Sequence, residues 1–297
     1  MKLSRKHKDY LIAYSFVAPN FIGYMAFTMI PVVATLVLSF SQWGGGAGAD
    51  SFTFVGFDNY IRMMQNETFR ISIRNTFVFA GATVPLTMIC SLALALLLNK
   101  PLRGRAIFRS CFFFPHVAAI VAIAVVWNLM FHPTMGPVNE FLRSIGIANP
   151  PRWTASVNWA LPTVIMASIW RNMGYFMVIY LAGLQGIPRE LYEAARIDGA
   201  NSWQCLRKIT IPMLTPCTFF VSIMLTISAF RVFDLIFMMT QGGPGRATHV
   251  LVLHIFQSAF IEFRFGYASA VAFVLFIIVA VITVIQFQAE KKWVNYM

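Results

Sequence analysis

The chain has 297 residues, of which 58% are hydrophobic and only 11% charged, against about 25% charged in a soluble globular chain. Its 29 phenylalanines are more apolar surface than a water-soluble fold of this length could hide, so composition places the chain in a lipid bilayer. The net charge of +12 is spread in short runs between apolar stretches, which argues against a nucleic-acid-binding face and reads as membrane topology.

A spanning helix needs about 20 apolar residues. The predicted order is a cytoplasmic N-terminus over 1–9, a first span over 10–40, an external loop over 41–76 and a second span over 77–98. A cytoplasmic loop over 99–109 leads to a third span over 110–131, an external loop over 132–158 and a fourth span over 159–184. A cytoplasmic loop over 185–212, a fifth span over 213–240, an external loop over 241–266, a sixth span over 267–287 and a cytoplasmic tail over 288–297 complete it.

The first stretch contains Pro19 and Pro31, which predict a kink or an interfacial lead-in. It lacks the short apolar core and small-residue cleavage site of a signal peptide and is expected to be retained. Turn formers fall in the external loops: Gly44-Gly45-Gly46, Asn149-Pro150-Pro151 and Gln241-Gly242-Gly243-Pro244-Gly245.

Cations fix the orientation. Lys2, Arg5, Lys6, Lys8, Lys100, Arg103, Arg105, Arg109, Arg189, Arg196, Arg207, Lys208, Lys291 and Lys292 all fall on one side. Only Arg62, Arg70, Arg74, Arg143, Arg152, Arg246 and Arg264 fall on the other, in longer loops. The positive-inside rule therefore puts both termini in the cytoplasm, as an even number of spans requires.

Cys90, Cys111, Cys205 and Cys217 have no paired or metal-like spacing and are expected to be packing residues without a disulfide. The histidines, His116, His132, His249 and His254 among them, show no ligand spacing either, and no metal is expected. No GxxxxGK[ST] phosphate loop occurs, so any ATP used must bind another polypeptide.

The cytoplasmic segment from Gly186 to Pro216 is the most informative. Pro188 suits the first turn of a helix, with Glu190 at its positive end. Leu191, Ala194 and Ala195 form a small apolar stripe, and Gly199 offers a left-handed stop. Asn201 or Ser202 can cap a second short helix running through Lys208, which Pro212 is expected to end. The prediction is a helix–turn–helix elbow at the membrane surface, whose small residues allow another protein to approach closely.

Glu193-Ala194-Ala195, three residues, Gly199, nine residues and Ile209-Thr210-Ile211-Pro212 resemble the EAA loop of ABC importer permeases. The one departure is Ile211, where the family pattern has leucine. The run from Glu193 through Asp198 to Ala200, with Ile187-Pro188 upstream, is similar to the carbohydrate-uptake branch. So are Phe233-Asp234, the run Thr240 to Gly245 and the run Gly266 to Ala270. The resemblance implies an all-α membrane protein of six transmembrane helices with the type I ABC importer permease fold. It implies a permease, not an enzyme, that uses Glu193, Ala194, Ala195, Asp198 and Gly199 to dock in a groove of an ATP-binding subunit. ATP and magnesium would then sit on that partner, with no cofactor on this chain. The other implied partners are a second permease, in the carbohydrate branch a different chain, and an extracytoplasmic substrate-binding protein. The setting is a prokaryotic plasma membrane, in contact with its lipid.

Three charges fall inside apolar stretches: Arg171 in the fourth, Arg231 and Asp234 in the fifth. Arg231 and Asp234 stand three apart, so on one helix they would share a face and could pair. They either line a polar translocation pathway or form a buried pair that fixes helix packing. Sugars present hydroxyls on one face and C–H groups on another, and Trp170, Asn172, Tyr175, Phe230 and Phe233 are side chains suited to both. Each of these, taken alone, reads better as a core or lipid contact. Two other functions remain: a self-contained secondary transporter or channel, for which Asp234 is the one candidate proton carboxylate, and a membrane-embedded enzyme, for which no clustered nucleophile or metal set is seen.

Overall fold

The computed structural model describes residues 5–44 and 52–294. Lys2 of the N-terminal cation run, and Gly45 and Gly46 of the first external turn, lie outside the described residues. The described chain is almost wholly helical. The helices are α1 (Arg5–Tyr24), α2 (Ile30–Ser39), α3 (Asp58–Gln65), α4 (Glu67–Leu98), α5 (Arg105–Val117), α6 (Ile120–Met130), α7 (Pro137–Ser144) and α8 (Ala160–Gln185). They continue as α9 (Arg189–Ile197), α10 (Ser202–Cys205), α11 (Ile211–Met213), α12 (Thr215–Phe230), α13 (Asp234–Thr240), α14 (Leu251–Phe256) and α15 (Phe265–Trp293).

Four helical stretches, Ile12–Ser39, Glu67–Leu98, Ala160–Gln185 and Phe265–Trp293, are long and apolar enough to cross a membrane. Two bent pairs raise the number to six if each is one span: α5 with α6, bent by 100°, and Ser202–Met213 with α12, bent by 63°. The chain divides into two compact units, Met1–Asn66 with Ile255–Val274, and Glu67–His254 with Leu275–Met297.

In the first unit, α1 and α2 join through a wide π turn over Met25–Met29. Pro31 lies in the first turn of α2. It has no N–H to donate, and its ring crowds the carbonyl four residues back, so the backbone widens there instead of breaking. Strands β1 (Ser41–Gln42) and β2 (Thr53–Phe54) pair antiparallel, Ser41 opposite Phe54. The buried Asn59 amide of α3 donates to the Ser39 and Ser41 carbonyls at 3.0 and 2.9 Å. Gly266, in the first turn of α15, lies so close to the Ser41 carbonyl that a Cβ would overlap it. Only glycine fits there.

The second unit holds a core built by the end of α4, the C-terminal half of α8 and the body of α12. Ala95, Phe176, Met177, Tyr180, Leu181, Leu184, Val221 and Leu225 are buried together in it. Gly174 lets α8 approach α5, because a Cβ there would run into the Phe112 carbonyl. Small residues at such crossings let membrane helices pack backbone to backbone.

Candidate functional site: a helical elbow and a charged cavity

Both functional regions predicted from the sequence fall in the second unit. The first is the elbow after α8. Its helix α9 begins at Arg189 with Pro188 as the N-cap, one position earlier than the first helical turn expected for it. It ends in a Schellman motif: the Ala200 N–H donates to the Ala195 carbonyl at 2.8 Å and the Gly199 N–H to the Arg196 carbonyl at 3.1 Å. Gly199 has φ +78°, a conformation that L side chains rarely adopt, and no atom lies within 4 Å of where its Cβ would stand. A side chain there would strain the backbone and project into open space, not into this chain.

Of the two caps open from sequence, the structure uses Asn201. Its side chain accepts from the Gln204 N–H at 2.9 Å, and the Gln204 side chain accepts from the Asn201 N–H at 2.7 Å. This is a capping box with an amide at each end. Pro212 does not end the second helix as expected. A π turn over Leu206–Thr210 precedes α11, Pro212 lies inside α11, and the bend comes at Leu214. The widened turn accommodates the missing proline donor.

The two arms of the elbow are braced by a hydrogen bond between the Tyr192 and Thr210 hydroxyls at 3.0 Å. Ile187 and Leu214, at its two roots, are buried in the core of α8 and α12, with Tyr192, Ile209 and Met213 packed against it. Glu193, Ala194, Asp198 and Gly199 are exposed. Ala195, Asp198 and Gly199 line an open hollow of about 360 Å³ with Ala200, Gln204 and Lys208. Two elbow residues that sequence reasoning missed stand out: Ile197 is 87% exposed and Trp203 67%. Their signal was available, since each is a large apolar residue in a polar segment between two apolar stretches.

The second region is a cavity of about 120 Å³. It is lined by Phe79 and Thr83 of α4, Ile120 of α6, Ser168, Arg171 and Asn172 of α8, and Leu225, Ser228 and Ala229 of α12. Arg231, Val232, Phe233, Asp234 and Leu235 complete the wall. Of the eight pathway residues predicted from sequence, the cavity gathers Arg171, Asn172, Arg231, Phe233 and Asp234. The other three lie elsewhere. Trp170 packs on Trp127 with ring centroids 5.9 Å apart, Tyr175 stacks on His116 at 4.4 Å, and the buried Phe230 meets Phe77 edge-on at 5.1 Å.

The fifth predicted stretch is not one continuous helix. α12 stops at Phe230 and α13 starts at Asp234; between them Phe233 has φ −143° and ψ −60°. The predicted Arg231–Asp234 pairing is therefore corrected. Three-residue spacing puts side chains on one face only along an unbroken helix, and no ion pair joins Arg231, Asp234 or Arg171 to any group among the described residues. Arg231 and Asp234 are both exposed. The Arg171 guanidinium has one long contact, from Nη2 to the His116 carbonyl at 3.5 Å, and its buried Nε has no partner among the described residues. His116 lies at the end of α5, where the 100° break leaves carbonyls without helical donors. Asn172 is held by its own helix, donating to the Ser168 carbonyl at 2.9 Å.

Unwound backbone at membrane depth is tolerated where it is buried in protein or lines a water-filled cavity. A charge at a helix centre in lipid costs about 2.5–3.5 kcal/mol on insertion scales. The three charges stand together around one helix break on a single protein-lined cavity. Thr83 brings a hydroxyl from α4 to the cavity wall, and further along α4 Thr87 and Ser91 are buried like it, all three without a hydrogen-bond partner among the described residues. Their spacing of four, like that of Ser72 and Thr76 earlier in α4, is a polar stripe legible in the sequence and missed there. Among the described residues no group of three His, Cys, Asp or Glu could hold a metal ion.

Comparison with known proteins agrees with this architecture. The family described as "Binding-protein-dependent transport system inner membrane component" matches residues 84–294. The Bacillus subtilis (strain 168) protein YesP, described as a probable ABC transporter permease, is 40% identical over 304 residues, covering 100% of this chain and 96% of its own length. The lactose transport system permease LacF of Rhizobium radiobacter is 37% identical over 283 residues, 93% of each chain. In fold, the chain resembles a subunit of a bacterial alginate ABC transporter, crystallised in complex with an alginate pentasaccharide-bound periplasmic protein. The TM-score is 0.85 at 23% identity, over 98% of each chain.

Proposed function

The chain belongs to the inner-membrane components of binding-protein-dependent transport systems, and we propose that it is one of two permeases in an ATP-driven importer of a carbohydrate or related polar solute. The observation that carries this reading is the charged cavity at the α12–α13 break, which offers a polar solute charged and hydroxyl groups inside an apolar chain. Relatives of this chain, among them one named for lactose transport, support a carbohydrate as that solute.

In the proposed mechanism ATP, with magnesium, is bound and hydrolysed on separate subunits. Their closure is received by the elbow. Glu193, Ala194 and the hollow at Ala195, Asp198 and Gly199 supply the docking surface, and Ile197 and Trp203 add apolar contact. Because Ile187 and Leu214 are part of the core, a displaced elbow moves α8 and α12 with it. Both helices end or pass at the cavity, through Arg171 and Asn172 on α8 and Ser228 and Arg231 at the end of α12. The solute arrives from an extracytoplasmic binding protein and crosses between this chain and a second, different permease by alternating access. Both termini, and the elbow with them, lie in the cytoplasm of a prokaryotic cell.

Gly199→Leu tests the coupling. A left-handed conformation costs a residue with a Cβ about 1–2 kcal/mol, and the new side chain projects into the hollow. The variant should insert normally yet lose co-purification of the ATP-binding subunit and lose transport in vesicles. Glu193→Ala should act in the same direction more weakly, its carboxylate being solvent-exposed. Normal assembly and uptake by Gly199→Leu would show that the elbow is not the coupling element.

A further inference from the structure

The cavity has an unbalanced charge. Arg171 and Arg231 face it with only Asp234 to oppose them, and no ion pair neutralises any of the three among the described residues. Arg231 and Asp234 are exposed, but Arg171 is partly buried, and a charge withdrawn from water ordinarily has a close partner. The Nε of Arg171 is buried without an acceptor among the described residues, and its guanidinium's one hydrogen bond is the long one to a backbone carbonyl at 3.5 Å. A guanidinium presents a planar fork of donors matched to the two oxygens of a carboxylate or phosphate. Around it stand the hydroxyls of Thr83, Ser168 and Ser228 and the Asn172 amide, groups suited to sugar hydroxyls, with Phe79 and Phe233 as apolar faces.

We infer that this cavity selects an anionic carbohydrate, a sugar bearing a carboxylate or phosphate, with Arg171 and Arg231 engaging the oxyanion. The inference rests on the reading of the cavity as the translocation pathway. Asp234 has a separate role: it offsets one arginine in the empty cavity, so that the anion is released instead of being held. Asp234→Asn should therefore tighten anion retention and slow its passage.

The experiment separates the charge inference from the pathway reading beneath it. Ser228, on the cavity wall, is changed to cysteine in a chain whose four native cysteines are replaced, and the whole transporter is assembled in membranes. Two methanethiosulfonate reagents of similar size are compared, one carrying a sulfonate and one a trimethylammonium, each rate being normalised to that with a free thiol. The anionic reagent should react at least several-fold faster, and Arg171→Gln with Arg231→Gln should abolish or invert that preference. Failure of both reagents to react would mean the cavity is dry, and the pathway reading falls together with the inference. Reaction at equal rates, or faster with the cation, would keep the pathway and overturn the anion selectivity. Competition then distinguishes the oxyanions, using galactose, galacturonate and galactose 6-phosphate, which differ only at carbon 6. Slowing by galacturonate alone assigns a carboxylate, slowing by the phosphate alone assigns a phosphate, and slowing by both anions assigns a less restricted oxyanion site. Slowing by galactose as strong as by either anion, or by none of the three, would overturn the inference.

Discussion

At the scale of single residues, the positions that matter most are those where size or charge admits no substitute. Gly174 is one, since a Cβ would overlap the Phe112 carbonyl at the α5–α8 crossing. Gly174→Ala must push the helices apart, an overpacking penalty of about 1–3 kcal/mol. Thermal melting of the purified permease should show a lowered transition for this variant. Gly81→Ala on α4 is the control: nothing lies within 4 Å of its Cβ, and alanine favours a helix, so its transition should be unchanged or raised. Equal effects at both positions would argue against the close crossing. Charges behave differently from glycines in what the sequence reveals. That Arg171, Arg231 and Asp234 are unusual is legible from their apolar neighbours alone. That Arg231 and Asp234 do not pair is not, because the run from Ser228 to Asp234 contains no proline or glycine to announce a break.

The elements show why some local structure was legible and some was not. The elbow was readable because its signals are short-range: a proline before α9, a glycine after it and an asparagine before α10. These act through backbone geometry and hydrogen bonds within a few residues, independent of the rest of the fold. The π turns over Met25–Met29 and Leu206–Thr210 each precede a proline, yet sequence alone suggested a kink in one case and a helix end in the other. Their outcome depends on whether the neighbouring packing holds the helix together. The break at Ala118–Ala119 lay deeper still, inside a stretch apolar enough to read as one span.

The elbow yields a prediction at this scale. Asn201→Ala removes the side-chain acceptor of the capping box, a loss of about 0.5–2 kcal/mol. Asn201→Asp keeps that acceptor. The alanine variant should weaken co-purification of the ATP-binding subunit while the aspartate variant retains it. Equal binding by both would show that the second arm of the elbow needs no cap.

In the molecule as a whole, two surfaces share rigid connectors. From Arg171 to the end of α8 at Gln185 is about 21 Å at 1.5 Å per helical residue, and from Thr215 to Phe230 along α12 is about 23 Å. Each connector carries the elbow at one end and the cavity at or near the other, and the buried core between them resists independent motion. Such a device does work only when something moves the elbow, and under the proposed function ATP hydrolysis on partner subunits supplies that movement. The most direct measurement is uptake by proteoliposomes containing this chain, a second permease and the ATP-binding subunits, with binding protein and labelled solute outside. Uptake should require ATP on the side of the elbow and should persist when ion gradients are dissipated by ionophores. Uptake that continues without ATP and collapses with the ion gradient would contradict the account and identify a self-contained secondary transporter instead.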